Sequence, residues 1–274
     1  MCGRYAASAN PAELVEVFEV EADRTAEPSA AVVKNPQTPP PGQPDWNMAP
    51  SKQAPVVLTR APKDDPDHAV RQLRLLSWGL VPPWAKDISV GNRMINARSE
   101  TLFEKRTFAG PAKRRRCLGP ADGWYEWQAS PVATTAAGKP RKQPFFMSRL
   151  DGAQLAFAGI YEFHKPTGAQ DSADWVVSFA ILTTAAEPGL DRLHDRQPVV
   201  LDPADWEAWL DPTATDESDV LDVLEAQPEG RFQAWPVSPA VSRVATNGPE
   251  LTQPIPADQL VGVLDPATGE IIGG

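Results

Sequence analysis

The sequence predicts an α+β fold built on a largely antiparallel sheet, closing as an open barrel with flanking helices. Seven short runs rich in β-branched and aromatic residues follow one another between residues 55 and 183. The two clearest helix starts lie outside that stretch, near residues 10 and 202. No strand–helix–strand alternation and no internal repeat runs through the chain, which argues against a doubly wound parallel sheet or a solenoid.

The elements follow in order. Asn10-Pro11-Ala12-Glu13 combines a capping side chain, a proline at the first helical position and a glutamate at the third. Leu14, Val17 and Phe18 then share one helical face. Residues 28–44 carry Pro28, Pro36, Pro39, Pro40, Pro41 and Pro44 and read as an extended surface insertion. Strands are expected at 55–59, 70–78, 116–118, 124–128, 145–149, 155–163 and 175–183, with a loop over 129–143. Asp202-Pro203 repeats the cap-plus-proline signal before a helix bearing Trp206, Trp209 and Leu210. An acidic helix is expected around 216–226, and a closing strand at 232–237. One domain over 1–256 and a C-terminal tail over 257–274 result.

The 274 residues hold two cysteines, Cys2 and Cys117, too few for a disulfide scaffold. No basic-then-apolar leader and no apolar run near ~20 residues is present, so a cytoplasmic chain with no membrane partner is expected, acting as a monomer. The net charge of −10 is unevenly spread. Residues 205–229 hold nine acids and no Lys or Arg, whereas 105–116 hold six basic residues and no acid. Phosphate binding follows the local field, so the total does not exclude a nucleic-acid partner. The plainer reading of the basic run is a solvated loop.

No Gly-rich phosphate loop, CxxC, HExxH or GxSxG occurs, so no metal and no cofactor is expected. The chemistry gathers elsewhere. The chain opens Met1-Cys2-Gly3-Arg4-Tyr5, and trimming of Met1 before a small residue would leave a 1,2-aminothiol. An α-amine with a pKa near ~7.7–8 adds to an aldehyde, and the neighbouring thiol closes a thiazolidine on the same carbon. The bland alternative is an inert terminus. Trp78 and Trp84 flank a rigid Pro82-Pro83 turn, with Trp78 expected in the core and Trp84 exposed for stacking. Asn96 offers donor and acceptor, and Arg98 suits a phosphate; Ser99 as a simple helix cap is the alternative. In 121–127 a strand would put Trp124 and Glu126 on one face and Tyr125 and Trp127 on the other. A carboxyl among aromatics rises in pKa and becomes an acid/base, unless it sits on an edge facing water. Of the three histidines, His68 and His164 read as surface residues, and His194 lies between apolar stretches.

Taken together, these segments resemble the SRAP family, whose members shield and process abasic sites in DNA. The resemblance runs through MCGRY at 1–5, WNMAPS at 46–51, WGLVPPW at 78–84, INARSET at 95–101 and RCLGPADGWYEW at 116–127. It continues through FAGIYE at 157–162, LTTAA at 182–186, LHDRQPVVL at 193–201 and PVS at 236–238. It implies an SRAP fold acting on single-stranded DNA that carries abasic sites. It also implies that Cys2 is the nucleophile, Asn96 orients the amine and the sugar, Glu126 is an acid/base, and His194 assists ring opening. Arg4, Arg98 and Arg196 match phosphate-holding positions, Trp84 and Trp127 match aromatics against exposed bases, and Thr183 lies beside the lesion pocket. Lyase chemistry through an unclosed Schiff base and reversal of the crosslink are implied as well. Gln197 departs from the usual pattern in a way that would tune packing or phosphate contact, and Pro239, Ser242 and Thr246 depart from it and weaken the case for DNA contacts from the C-terminal segment. Two other readings remain open: a thiol autopeptidase acting at Cys2, and a noncovalent reader of modified bases.

Overall fold

A computed structural model describes residues 2–27, 29–32, 37–61, 65, 68–225, 228–260 and 262–273. Met1, Pro28 and Pro36 lie outside the described residues. In chain order the first elements are β1 (Tyr5–Ala7), α1 (Pro11–Val17), β2 (Ala22–Asp23), β3 (Asp45–Met48), β4 (Gln53–Arg60) and β5 (Val70–Trp78). β6 (Asn96–Arg98), α2 (Arg106–Arg114), β7 (Arg116–Ala121), β8 (Gly123–Thr134), β9 (Pro140–Arg149) and β10 (Leu155–His164) follow. The last are β11 (Val176–Ala185), β12 (Arg196–Pro198), α3 (Pro203–Leu210), α4 (Glu217–Glu225), β13 (Phe232–Pro236), β14 (Val263–Leu264) and β15 (Ile271–Ile272).

One sheet runs β13-β9-β8-β1-β3 and is antiparallel throughout. The larger runs β12-β11-β10-β7-β4-β5-β2, with β6 alongside β11. β11 also meets β5 in parallel at Ser178–Ser77 and Phe179–Trp78, so β5, β4, β7, β10 and β11 close into a ring. Strand side chains alternate, and the ring separates two cores accordingly. Val56, Leu58, Trp78, Cys117, Phe157, Phe179 and Ile181 face inward with Cys2 and Tyr5. Val57, Leu118, Ala158, Ala180 and Leu182 face outward onto Leu14, Phe18, Phe108, Trp209 and Leu224 of the helices.

Local signals account for most boundaries. Asn10 and Glu13 form a complete capping box. Asp202 precedes α3, but its carboxylate serves Arg149 at 2.5 Å and Arg231 at 2.9 Å and makes no cap bond. Proline at the first turn and the burial of Trp206, Trp209 and Leu210 hold that helix. The expected acidic helix is α4, and the closing strand is β13.

Three expectations need correction. Residues 129–143 are strand rather than loop: β8 extends to Thr134, β9 starts at Pro140, and Thr135 N–H donates to Lys139 O at 2.7 Å to close the turn. Cross-strand hydrogen bonding carries polar, Ala-rich sequence that has no strand periodicity. His164 is buried, with Nδ1 3.1 Å from Pro82 O. The basic run is largely structural. Arg116 is buried against the carbonyls of Trp209, Ala112, Lys113 and Asp211, Arg115 pairs with Glu162, and Lys113 with Glu217. The tail beyond residue 256 carries the β14–β15 hairpin, docked on β8. Among the described residues no helix is long and apolar enough to cross a membrane.

Candidate active site

Pairing of β1 with both β3 and β8 carries the start of the chain into the inner core. Tyr5 lies opposite Met48 on one side and Trp124 on the other. Tyr125 N–H donates to Arg4 O at 2.9 Å, which fixes this strand beside the one bearing Glu126. Cys2 is fully buried there, with its Sγ 3.9 Å from Arg4 O. Burial first, and then the Glu126 carboxylate, push its thiol far above the usual range. A thiol so disfavoured as thiolate is a poor leading nucleophile.

Asn96 comes from the opposite side. β6 runs parallel to β11 with Asn96 level with Ile181, and Trp78 Nε1 donates to Ile95 O at 2.9 Å just before it. Asn96 Nδ2 donates to Cys2 O at 2.8 Å. Its Oδ1 is buried and has no hydrogen-bond partner among the described residues. An amide held at one end, with a dry acceptor at the other, is prepared to take an N–H or O–H from a bound group.

The expected facing on β8 is present. Trp124 joins the inner core, while Tyr125 and Trp127 pack on the outer side of the smaller sheet. Glu126, 5% exposed, faces inward. Burial raises its pKa to about 7, against the opposing charge of the amino terminus. Such a carboxyl exchanges a proton near neutrality.

His194 follows a short 3-10 turn, Leu190–Arg192, whose Leu190 is buried in the inner core with Leu193. Arg196 N–H donates to its Nδ1 at 3.0 Å, and Asp195 Oδ1 also stands 2.7 Å from Nδ1. One nitrogen cannot accept from the amide and donate to the carboxylate at once. Desolvation, aided by the amino-terminal charge, lowers the His194 pKa, so the neutral ring with Nδ1 accepting is favoured. The proton then sits on Nε2, which becomes the donor nitrogen. Glu126 and His194 both feel the amino terminus and Asp195.

The remaining predicted residues divide. Arg4 Nη1 donates to Asn47 Oδ1 at 2.5 Å and to Val241 O at 2.9 Å, and its guanidinium lies over Trp127, 5.8 Å from the ring centroid. Trp127 Nε1 donates to Ser242 Oγ at 3.1 Å, so the departure at Ser242 lands on a contact with a predicted base-packing residue. Arg196 makes a two-pronged pair with Glu100 at 2.6 and 2.8 Å and caps Thr183 O at 2.5 Å. Thr183 is buried, with its Oγ1 3.5 Å from Ala97 O. Arg98 is exposed, and Trp84 is 53% exposed with Arg106 5.2 Å from its ring centroid.

Asn47 escaped the sequence reading. Its Nδ2 donates to Val241, Arg243 and Thr246 carbonyls, which clasps the C-terminal segment to β3. The polar residue inside WNMAP, with Asp45 buried against Lys52 at 2.6 Å nearby, was the available signal. Among the described residues no group of three His, Cys, Asp or Glu side chains converges as a metal site.

A ringed, mostly antiparallel barrel that holds Cys2 against the Asn96 amide, with the buried Glu126 carboxyl acting on its thiol, defines a narrow class. The family described as SOS response associated peptidase (SRAP) matches residues 1–244. The chain belongs to the SRAP family. It is 32% identical over 256 residues to the abasic site processing protein YoqW of Bacillus subtilis, covering 92% of this chain and 99% of that one. It is 31% identical to the abasic site processing protein YedK of Escherichia coli (93% and 100% covered) and 30% to HMCES of Rattus norvegicus (82% and 69%). Among solved structures, a phage-related protein from Bordetella bronchiseptica superposes with a TM-score of 0.58 at 31% identity, covering 86% of this chain and 94% of that one. A Bacteroides thetaiotaomicron protein at 21% identity (93% and 100% covered) shares the fold, with a TM-score of 0.65.

Proposed function

We propose that this chain processes abasic sites in DNA, as the names of its relatives describe for them, and that it does so covalently through Cys2 on single-stranded DNA. The observation that carries the reading is the meeting of Cys2 with Asn96 beside a buried Glu126 that titrates near pH 7. Once Met1 is removed, the α-amine belongs to Cys2. As the anomeric hydroxyl proton passes to the ring oxygen of the abasic sugar, neutral His194 hydrogen-bonds that oxygen through Nε2–H and promotes opening to the aldehyde. The neutral amine adds to the aldehyde carbon, giving a carbinolamine. Glu126 in its acid form protonates the departing hydroxyl, water leaves, and the iminium N–H proton returns to the Glu126 carboxylate, which leaves the imine. The thiol then adds to the imine carbon, the S–H proton passes to nitrogen, and the thiazolidine closes.

Asn96 Oδ1 holds the amine N–H during addition. Arg98, on the exposed end of β6, is the proposed phosphate contact, and Trp84 offers its face to a base. Arg4, Trp127, Thr183 and Arg196 complete the proposed DNA surface, although Arg4 and Arg196 enter it already partnered. An imine that waits for the thiol can lose the 3′-phosphate by β-elimination, so lyase activity competes with closure. A neutral buried thiol disfavours the autopeptidase reading, which needs a thiolate to begin.

The test is denaturing electrophoresis of the purified protein with a single-stranded oligonucleotide carrying one abasic site, wild type beside Cys2→Ala. A shift that survives denaturant in the wild type alone is the expected result. No stable shift, with intact mass showing Met1 absent, overturns the covalent mechanism.

A further inference from the structure

We propose that the C-terminal hairpin β14–β15 forms part of the active-site wall, with Gln128 as the positioning residue that locks the strand of Glu126 against the turn leading into His194. The inference rests on the reading above, in which Glu126 and His194 act on the same sugar. It goes beyond the family, whose match ends at residue 244 and leaves the hairpin outside.

Gln128 lies two residues beyond Glu126 on β8, so its side chain leaves the strand on the same face. It is 4% exposed, and every polar atom of its amide is engaged. Oε1 accepts from Leu264 N–H at 2.7 Å, and Nε2 donates to Leu264 O at 3.0 Å. The side chain thus pairs with the main chain of β14 as a neighbouring strand would. Nε2 also donates to Arg192 O at 3.2 Å, in the turn two residues before His194.

Arg192 closes the triangle by donating from Nη1 to Pro266 O at 2.5 Å, within the hairpin. Ser130, the next inward residue of β8, donates to Gly262 O. Val263 is fully buried in the inner core with Leu190 and Leu193. Three segments far apart in the chain therefore meet on one amide: the strand carrying the acid/base, the turn carrying the imidazole, and the hairpin. A buried amide with three partners in fixed directions tolerates little sliding, and a misplacement of ~1 Å at a reacting group can cost ~100-fold in rate.

The charged and titratable groups that act on Glu126 are the amino terminus and Cys2 before β1, Lys142 from β9, and Asp195 beside His194. The hairpin meets Gln128 through Leu264 and Arg192 through Pro266, by main-chain groups. Loosening it is expected to admit water beside Glu126 and so to ease the desolvation that raises its pKa.

The experiment uses the full chain with Gln128→Met, which preserves side-chain length and removes all three hydrogen bonds. A second variant, Leu264→Pro, deletes the donor on the hairpin side and leaves β8 untouched. Two readouts are taken: the Glu126 carboxyl titration by carbon NMR without DNA, and the single-turnover crosslinking rate at saturating abasic oligonucleotide. Both variants should keep wild-type DNA affinity, crosslink roughly tenfold more slowly, and titrate Glu126 at lower pH than wild type. The double variant should be no slower than the worse single one, since both break the same joint. Unchanged Glu126 titration and unchanged rate in folded Leu264→Pro protein overturn the proposal, whether or not Gln128→Met folds. If wild type forms no crosslink, the covalent reading fails, and the Glu126 titration still decides the role of Gln128.

Discussion

Glu126 carries the sharpest pH signature in the molecule. Its ordinary value of 4.5 is raised to about 7 by burial. The folded chain therefore holds this proton more tightly than the unfolded chain between those two values. The sign follows: the contribution is present in full below about pH 4.5 and is lost as pH rises through about 7. At most roughly 3.5 kcal/mol is at stake, since each tenfold difference in proton affinity is worth ~1.4 kcal/mol. Glu126→Gln stays neutral throughout, so its melting temperature should gain on wild type between pH 5 and pH 8. A gap that stays constant over that range would sink the assignment. The same variant should slow crosslinking most below pH 7, where the wild-type acid is protonated.

The β7–β8 corner shows how one residue sets a strand. A Cβ on Gly123 would overlap both Met147 O and the Phe146 ring. The ring can turn, but the β9 carbonyl cannot move without breaking the Trp124–Met147 register. Gly123→Ala should cost about 3 kcal/mol or more in chemical denaturation, because overpacking against backbone has no side-chain escape. A loss under about 1 kcal/mol would mean that β9 shifts freely there. Strand β6 is the counterpart that sequence patterning missed. Asn96-Ala97-Arg98 has no strand-like composition, and it is a strand only because β11 offers it a partner in parallel. The long 129–143 hairpin was missed for the same reason, whereas 70–78 coincides with β5 because its apolar run is strong enough alone.

Longer-range contacts decide how the whole chain holds and meets DNA. Asn47 ties Arg4 to three carbonyls near residues 241–246, so β1, β3 and the C-terminal segment share one amide. Asn47→Ala leaves those groups unpaired in a largely buried place, at an expected cost of about 2–3 kcal/mol. Equilibrium unfolding in urea, with an unchanged m-value, is the check. The charge pattern makes a different prediction. Glu100 neutralises Arg196, and that pairing holds the Glu100 carboxyl below its usual range. Glu100→Gln should free the guanidinium, tighten binding to single-stranded DNA and steepen the log–log salt dependence by about 0.7 per phosphate gained. Weaker binding with an unchanged slope would mean that Arg196 never meets phosphate.

The sequence by itself determined the class of fold, the main strands, the shared face of Trp124 and Glu126, the burial of Trp78 and the exposure of Trp84. These follow from local periodicity, capping chemistry and side-chain size, which act over a few residues. Only the tertiary structure decided that Asn96 bonds the Cys2 carbonyl, that Arg196 is paired, and that Arg116 is a buried brace for Trp209. It also decided that Gln128 joins β8 to a hairpin more than a hundred residues away. Burial and hydrogen-bond satisfaction are set by whatever the folded chain brings alongside, and such partners leave no mark on a residue's immediate neighbours in sequence.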